Sequence, residues 1–182
     1  PEVLLRHCVH LTPRLVRLPR FPESPFLQSA EGTHIVTGGT GGLGRLTTRW
    51  LVQHGTCTVV LASRSGTIAI SESEQPLFRN CNRLQMQRCD VAEATHIKHL
   101  ATISESRLQL GLWHTAGVLS DGLLPKLEEA SLSRVYSPKA HGAIVLLATC
   151  STAVVGACAL FSSVAALLGG AGQANYAAAN AC

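Results

Sequence analysis

The 182 residues are 46% hydrophobic, 14% charged and 4% aromatic, which supplies the apolar material for one packed domain. That balance excludes a disordered or fibrous chain. The net charge of +4 is spread out, clustering only at Arg14, Arg17 and Arg20, and lacks the dense basic stripe of a nucleic-acid binder.

The first 31 residues hold five of the eight prolines and no sustained period. Proline fixes φ and lacks an amide donor, so 1–31 is expected to be a linker or the tail of a preceding subdomain. Its opening, with Glu2, Arg6 and His7, lacks the uninterrupted apolar run of a secretory leader. The domain proper is expected over 32–182. THIVT (33–37) predicts a buried strand, and a glycine cluster then opens a helix that ends at Gly55. CTVVLAS (57–63) and RLQMQRCD (83–90) predict the second and third strands, with a helix over 91–106. LGLWHTAG (110–117) predicts a fourth strand, followed by a helix over 123–149 that Pro138 can interrupt. VVGACALFSS (154–163) predicts a fifth strand, and 173–181 a last helix. Such alternation implies an α/β fold with a doubly wound parallel sheet.

Residues 140–182 contain no Asp, Glu, Lys or Arg. A membrane span needs roughly 20 mainly apolar residues in a row, and Ser151, Ser162, Gly169 and Gln173 break this run. A strand and two helices buried inside the domain are expected instead, in a cytoplasmic chain with no membrane contact. The seven cysteines form no CxxC pair, which speaks against a disulfide framework or a metal site. They read as reduced, mostly buried thiols.

The first strand runs straight into GGTGGLG (38–44). Gly39, Gly41 and Gly44 satisfy GxGxxG, while Thr37, Gly38, Gly42 and Gly44 satisfy TGxxxGxG. A pyrophosphate can approach such a backbone and meet the amides that open the helix, so Thr37 to Gly44, with Thr40 and Leu43, is expected to be a dinucleotide site, with a glycine-rich turn that holds no ligand as the other reading. An acidic residue about 20 positions on would hold the 2′-hydroxyl of NAD. Ser63 and Arg64 stand there instead, and arginine pairs with a 2′-phosphate, so NADPH is the expected cofactor. Asp90 and Val91 end the third strand. They are candidates to cradle the adenine, with a helix N-cap as the other reading of Asp90.

TGGTGGLG, SRSG, CDV, HTAGVLSDG, SPKAHGA, FSS and QANYAAANA together resemble the ketoreductase domain of modular polyketide synthases and animal-type fatty acid synthases. These belong to the short-chain dehydrogenase/reductase superfamily. The resemblance covers about 32–182 and implies a Rossmann-like sheet whose C-terminal part, a further strand and a lid, is missing. Ordinary members of that superfamily carry YxxxK, whereas here Asn180 follows Tyr176 at that spacing. The resemblance implies that Lys139 supplies the lysine from an earlier helix and that Ser163 is the matching serine. Reduction of a ketone needs hydride at carbon and a proton at oxygen. A phenol with the ordinary pKa of about 10 is a poor acid near neutrality, and a nearby ammonium corrects this. Ser163 would hold the substrate oxygen, and Asn180 would orient the lysine or an ordered water. Taken singly, Ser163 also reads as a strand-end cap, Asn180 as a helix residue, Lys139 as a surface lysine and Tyr176 as packing.

The resemblance also places the turn at Ala116 and Gly117 against the nicotinamide ribose, while His114 reads as a satisfied strand histidine. Leu119 and Asp121 match an LDD-like loop with Ser120 in its middle, and Asn175 and Leu168 also fit the B type, which directs a D-configured hydroxyl. Ala171 departs from that pattern, which has proline there. The implied partners are an acyl carrier protein bearing a phosphopantetheine-bound β-ketoacyl chain, and neighbouring synthase domains. Two alternatives stay open: a non-catalytic NADP-binding scaffold domain, and a stand-alone reductase of small carbonyls.

Overall fold

The computed structural model describes residues 4–6, 9–11, 32–56, 58–68, 83–103, 109–151 and 153–182. Two short strands, β1 (Leu4–Arg6) and β2 (Val9–Leu11), pair antiparallel inside the segment expected to be a linker or tail. The Pro/Arg-rich stretch after them, and most of the segment between Gly66 and the third core strand, lie outside the described residues.

The main sheet has five parallel strands. These are β3 (Thr33–Thr37), β4 (Thr58–Ser63), β5 (Arg83–Arg88), β6 (Leu110–His114) and β7 (Val155–Leu160), in the order β5-β4-β3-β6-β7. The chain winds outward from β3 to β5, then returns to the other side of β3 for β6 and β7. That reversal puts a switch point between β3 and β6, and ligands of open α/β sheets bind outside the carboxyl ends of the strands there. Register levels those ends: Thr37 pairs with Ala62 on one side and with His114 on the other.

Helix α1 (Gly42–Gln53) follows β3, and α2 (Ala94–Thr102) follows β5. Alternate residues of the buried strands feed two separate cores. Ile35, Val60 and Leu112 pack with Ile97, Leu100 and Leu146, whereas Val36, Val59 and Leu61 pack with Leu51 and Trp50 of α1. Each such side chain, fully buried, stabilises the fold by about 1.5–3 kcal/mol. Across the second core, Trp50 meets Trp113 edge-on at 5.8 Å between ring centroids.

Several elements depart from their expected bounds. The helix expected from residue 91 starts only at Ala94, because the Asp90 carboxylate accepts the Ala92 amide at 3.0 Å and turns the chain first. The helix expected over 123–149 is a series: a 3₁₀ turn at Leu124–Lys126, α3 (Glu129–Tyr136), a π-helical turn at Ser137–His141, and α4 (Gly142–Thr149). Pro138 has no amide to donate, so the ladder there widens rather than breaks. The fifth strand stops at Leu160. A four-residue helix, α5 (Ala165–Leu168), precedes α6 (Ala174–Ala181). Burial of the uncharged stretch is corrected for its strand and in part for its helices. Val154, Val155 and Leu160 are exposed, because β7 pairs only with β6 and forms an edge of the sheet among the described residues, and Ile144 and Leu147 of α4 and Leu168 of α5 are exposed as well.

Candidate functional site

β3 ends in a turn that only glycine permits at two points. Gly38 adopts φ +67°, and a Cβ on it would lie 2.8 Å from the Ala116 Cα. A Cβ on Gly44 would strike the Gly38 carbonyl oxygen and lie 2.6 Å from the Gly39 Cα. The turn closes through the Gly41 amide, which donates to the Gly38 carbonyl at 2.9 Å. Helix α1 then starts with no acidic side chain in its first turn, so its opening amides carry uncompensated positive dipole.

This turn forms one wall of a cavity of about 660 Å³ at the switch point. Gly38, Thr40 and Gly41 line it from the turn, Ser63 and Arg64 from the end of β4, Asp90 and Val91 from beyond β5, and Ala116 and Gly117 from beyond β6. Gly39 and Gly44 are buried behind the turn, while Gly42 and Leu43 stand exposed at the start of α1. The Thr37 hydroxyl is turned to His114 at 2.8 Å. Ser63 Oγ accepts the Gly66 amide at 3.2 Å and shapes the loop carrying exposed Arg64. Asp90 faces the cavity and makes the turn before α2, but it is not the helix N-cap: that position is Glu93, which makes no side-chain cap bond.

Ser65, Cys89, Thr115, Val118 and Pro138 also line the cavity and were missed from the sequence. Each is a near neighbour of a motif residue, and that adjacency was the available signal. Burial, and then the Asp90 carboxylate, push the Cys89 thiol up to about 11. At pH 8 it is therefore a thiol and a weak nucleophile. Iodoacetamide at pH 8, followed by peptide mass spectrometry, is expected to label exposed Cys182 well before Cys89. Equal labelling would refute the protonated state.

Lys139 lies in the π turn and reaches the strand ends. Its ammonium donates to the Phe161 carbonyl at 2.5 Å and toward the Ala116 carbonyl at 3.5 Å. Burial pushes its amine below the ordinary lysine value. A Cβ on Gly117 would lie 3.7 Å from the Lys139 Nζ, so the ammonium sits just behind the cavity wall. Lys139 and Asn180 line a second, smaller cavity of about 170 Å³ together with Ser162 and Phe161. Asn180 donates to the Tyr176 carbonyl at 2.8 Å, and its Oδ1 is buried with no partner among the described residues. Ser162 donates to the Asn180 carbonyl at 2.7 Å, tying α6 to the chain beyond β7. Ser163 Oγ accepts the Ala165 amide at 3.2 Å, which leaves its own hydrogen to donate elsewhere. Tyr176 is half-buried on α6, one turn before Asn180.

The loop after Gly117 is stitched to the start of α6. Asn175 is 1% exposed and donates to the Ser120 carbonyl at 2.8 Å, while its Oδ1 accepts the Tyr176 amide at 2.8 Å. The Gln173 amide donates to the Asp121 carboxylate at 3.1 Å, and the Gly122 amide donates to the Gly172 carbonyl at 2.8 Å. Gln173 was not singled out from the sequence. Leu119 is exposed on this loop. Among the described residues no cluster of three or more His, Cys, Asp or Glu could hold a metal ion, and no helix is long and apolar enough to cross a membrane.

The model of the KR domain family matches residues 32–182. A spectinabilin polyketide synthase system protein of Streptomyces orinoci is 38% identical over 185 residues, covering 100% of this chain and 5% of its own length. The solved structure of an A1-type ketoreductase superposes with a TM-score of 0.86 at 31% identity, over 99% of this chain and 39% of that one. A C2-type ketoreductase from a modular polyketide synthase gives 0.82 at 28% identity, over 98% and 39%. The chain therefore spans a small fraction of the curated relatives it matches.

Proposed function

The chain belongs to the KR domain family of the short-chain dehydrogenases/reductases, and on that premise we propose that it reduces a β-ketoacyl thioester to the β-hydroxyacyl thioester at the expense of NADPH. The observation that carries this reading is the Lys139 ammonium, held between the Phe161 and Ala116 carbonyls directly behind the cavity wall.

The residues present fit a nicotinamide dinucleotide, the cofactor class of this superfamily. The cradle at Gly38 and Gly44 has no room for a Cβ, and the first turn of α1 carries no acid to repel phosphate. Arg64 at the rim would pair with a 2′-phosphate, Ser63 and Asp90 would border the adenosine, and Ala116 and Gly117 would leave room for the nicotinamide ribose. When bound, NADPH supplies hydride to the ketone carbon. Tyr176 gives its phenolic proton to the ketone oxygen, and Ser163 donates a hydrogen bond to the same oxygen. The Lys139 ammonium favours the phenolate that remains. Asn180, with its spare acceptor, would hold the lysine or a water that returns the proton.

Leu119, Asp121 and Asn175 support a B-type, D-configured product. Asn175 couples the 119–121 loop to the backbone of Tyr176 itself. The substrate would arrive on the phosphopantetheine arm of an acyl carrier protein within a synthase of several domains, in the cytoplasm. The relatives named as polyketide synthases favour that pathway over fatty acid synthesis. The test supplies a β-ketoacyl pantetheine thioester and NADPH, follows nicotinamide absorbance, and resolves the product by chiral chromatography. Consumption of NADPH with a D-hydroxy product is expected. No consumption overturns the activity, and an L product overturns the B type alone.

Arg64 carries the preference for NADPH. Charge-assisted hydrogen bonds contribute about 1.5–3 kcal/mol, so Arg64→Ala is expected to raise the KM for NADPH by roughly tenfold or more and leave that for NADH unchanged. A parallel loss with both cofactors in steady-state assays would place Arg64 elsewhere.

A further inference from the structure

His114 closes β6 and is 1% exposed. Its Nε2 lies 3.1 Å from the Lys139 carbonyl oxygen, and its Nδ1 lies 2.8 Å from the Thr37 hydroxyl. A carbonyl can only accept, so Nε2 carries the proton and Nδ1 accepts from Thr37. Burial pushes the imidazole below its ordinary pKa and keeps it in this neutral tautomer. The same residue contributes its backbone. The Phe161 amide donates to the His114 carbonyl at 3.1 Å, and the Phe161 carbonyl receives the Lys139 ammonium. Three bonds therefore form a closed circuit: His114 ring to Lys139 carbonyl, Lys139 ammonium to Phe161 carbonyl, Phe161 amide to His114 carbonyl. Lys139 is held at both ends, its carbonyl by the His114 ring and its ammonium by the Phe161 and Ala116 carbonyls.

The position of Lys139 explains why it needs this. It sits in a π turn, where the hydrogen-bond ladder is widened relative to an α-helix. A long side chain anchored there would amplify any backbone drift at its tip. Thr37, at the end of β3 and immediately before the glycine turn, fixes the other side of the ring, and the Thr115 hydroxyl donates to the Thr37 carbonyl at 2.7 Å.

We propose that His114 is a positioning residue that holds the Lys139 backbone, and through it the ammonium, at the reaction site. This deepens the ketoreductase reading and rests on it for the kinetic arm of its test. Two substitutions separate the two sides of the ring. His114→Gln places an amide N–H at the Nε2 position, facing Lys139. His114→Asn reaches only the Nδ1 position, facing Thr37.

The first readout needs no catalysis. The chain has three lysines, of which Lys98 and Lys126 are exposed, so lysine labelled with ¹³C at the ε-carbon gives three resolvable signals, and Lys139→Arg assigns one of them. Lys139 is expected to titrate below the ordinary lysine value in the wild type and in His114→Gln. In His114→Asn it is expected to move up toward that value. The second readout is kcat, expected to fall roughly tenfold to a hundredfold in His114→Asn, in line with a misplacement of about 1 Å, with the KM for NADPH unchanged and His114→Gln within a fewfold of wild type.

Equal behaviour of the two variants, in either readout, overturns the proposal, because His114 would then act only by packing. If His114→Asn does not fold, His114→Gln decides: a displaced Lys139 signal there overturns the proposal and an unmoved one supports it. A wild type that consumes no NADPH sinks the ketoreductase reading, while the lysine titration still reports on His114.

Discussion

Tyr176→Phe is expected to lower kcat for ketoreduction by roughly 10²- to 10⁴-fold, the usual contribution of a positioned proton donor, while the affinity for NADPH stays at the wild-type value. The substitution deletes one oxygen from a half-buried ring and leaves the packing of α6 in place. The bonds that seat this helix do not use that oxygen. Asn175 takes the Tyr176 amide, Asn180 takes the Tyr176 carbonyl, and Ser162 takes the Asn180 carbonyl. Stability and cofactor binding are therefore insulated from the change, and the loss belongs to the chemistry alone. Following nicotinamide absorbance for both proteins, with fluorescence titration of NADPH as the control, measures the two quantities separately. Ketoreduction surviving in Tyr176→Phe would remove the phenol from the mechanism. A matching loss of NADPH affinity would make Tyr176 a binding residue instead.

Side-chain pattern explains what could be read before the structure and what could not. Strands β3, β4 and β7 were legible because β-branched runs between turn residues have few other uses, whereas β5 (RLQMQR) and β6 (LGLWH) hold no β-branched residue and offer a weaker pattern. Gly38 and Gly44 were legible because a missing side chain is itself a signal. Lys139 became visible only through the segment around it, since an isolated lysine has no helical or strand period to betray a role. The tie from His114 to Lys139 was not legible, because its partner is a backbone carbonyl 25 residues away and any residue there offers one. The same holds for Asn175, which the resemblance linked to stereocontrol but which is buried against the Ser120 carbonyl. The π turn escaped notice for a related reason. Pro138 signals an interruption of the ladder, but it does not say whether the helix ends or widens.

Two neighbouring glycines are expected to respond in opposite ways to the same added methyl group. Gly44→Ala puts a Cβ onto the Gly38 carbonyl and within 2.6 Å of the Gly39 Cα, both of them backbone atoms that cannot rotate away. The turn must open, at a cost of about 1–3 kcal/mol for an overpacked site, and the amide cradle opens with it, so both the melting temperature and NADPH binding fall. Gly42→Ala meets nothing within 4 Å, because its Cβ would project into open space at the first residue of α1. By restricting the unfolded chain it is expected to stabilise the protein by about 0.4–1 kcal/mol. If that open space is where the pyrophosphate lies, the methyl group occupies the ligand's place, and the Kd for NADPH rises by about tenfold or more, a loss of roughly 1.4 kcal/mol. A higher melting temperature combined with weaker NADPH binding in one variant cannot arise from damage to the fold, so it would locate the phosphates over the start of α1. Calorimetric titration alongside thermal melts of both variants makes the comparison, and unchanged NADPH affinity in Gly42→Ala would move the pyrophosphate away from this turn.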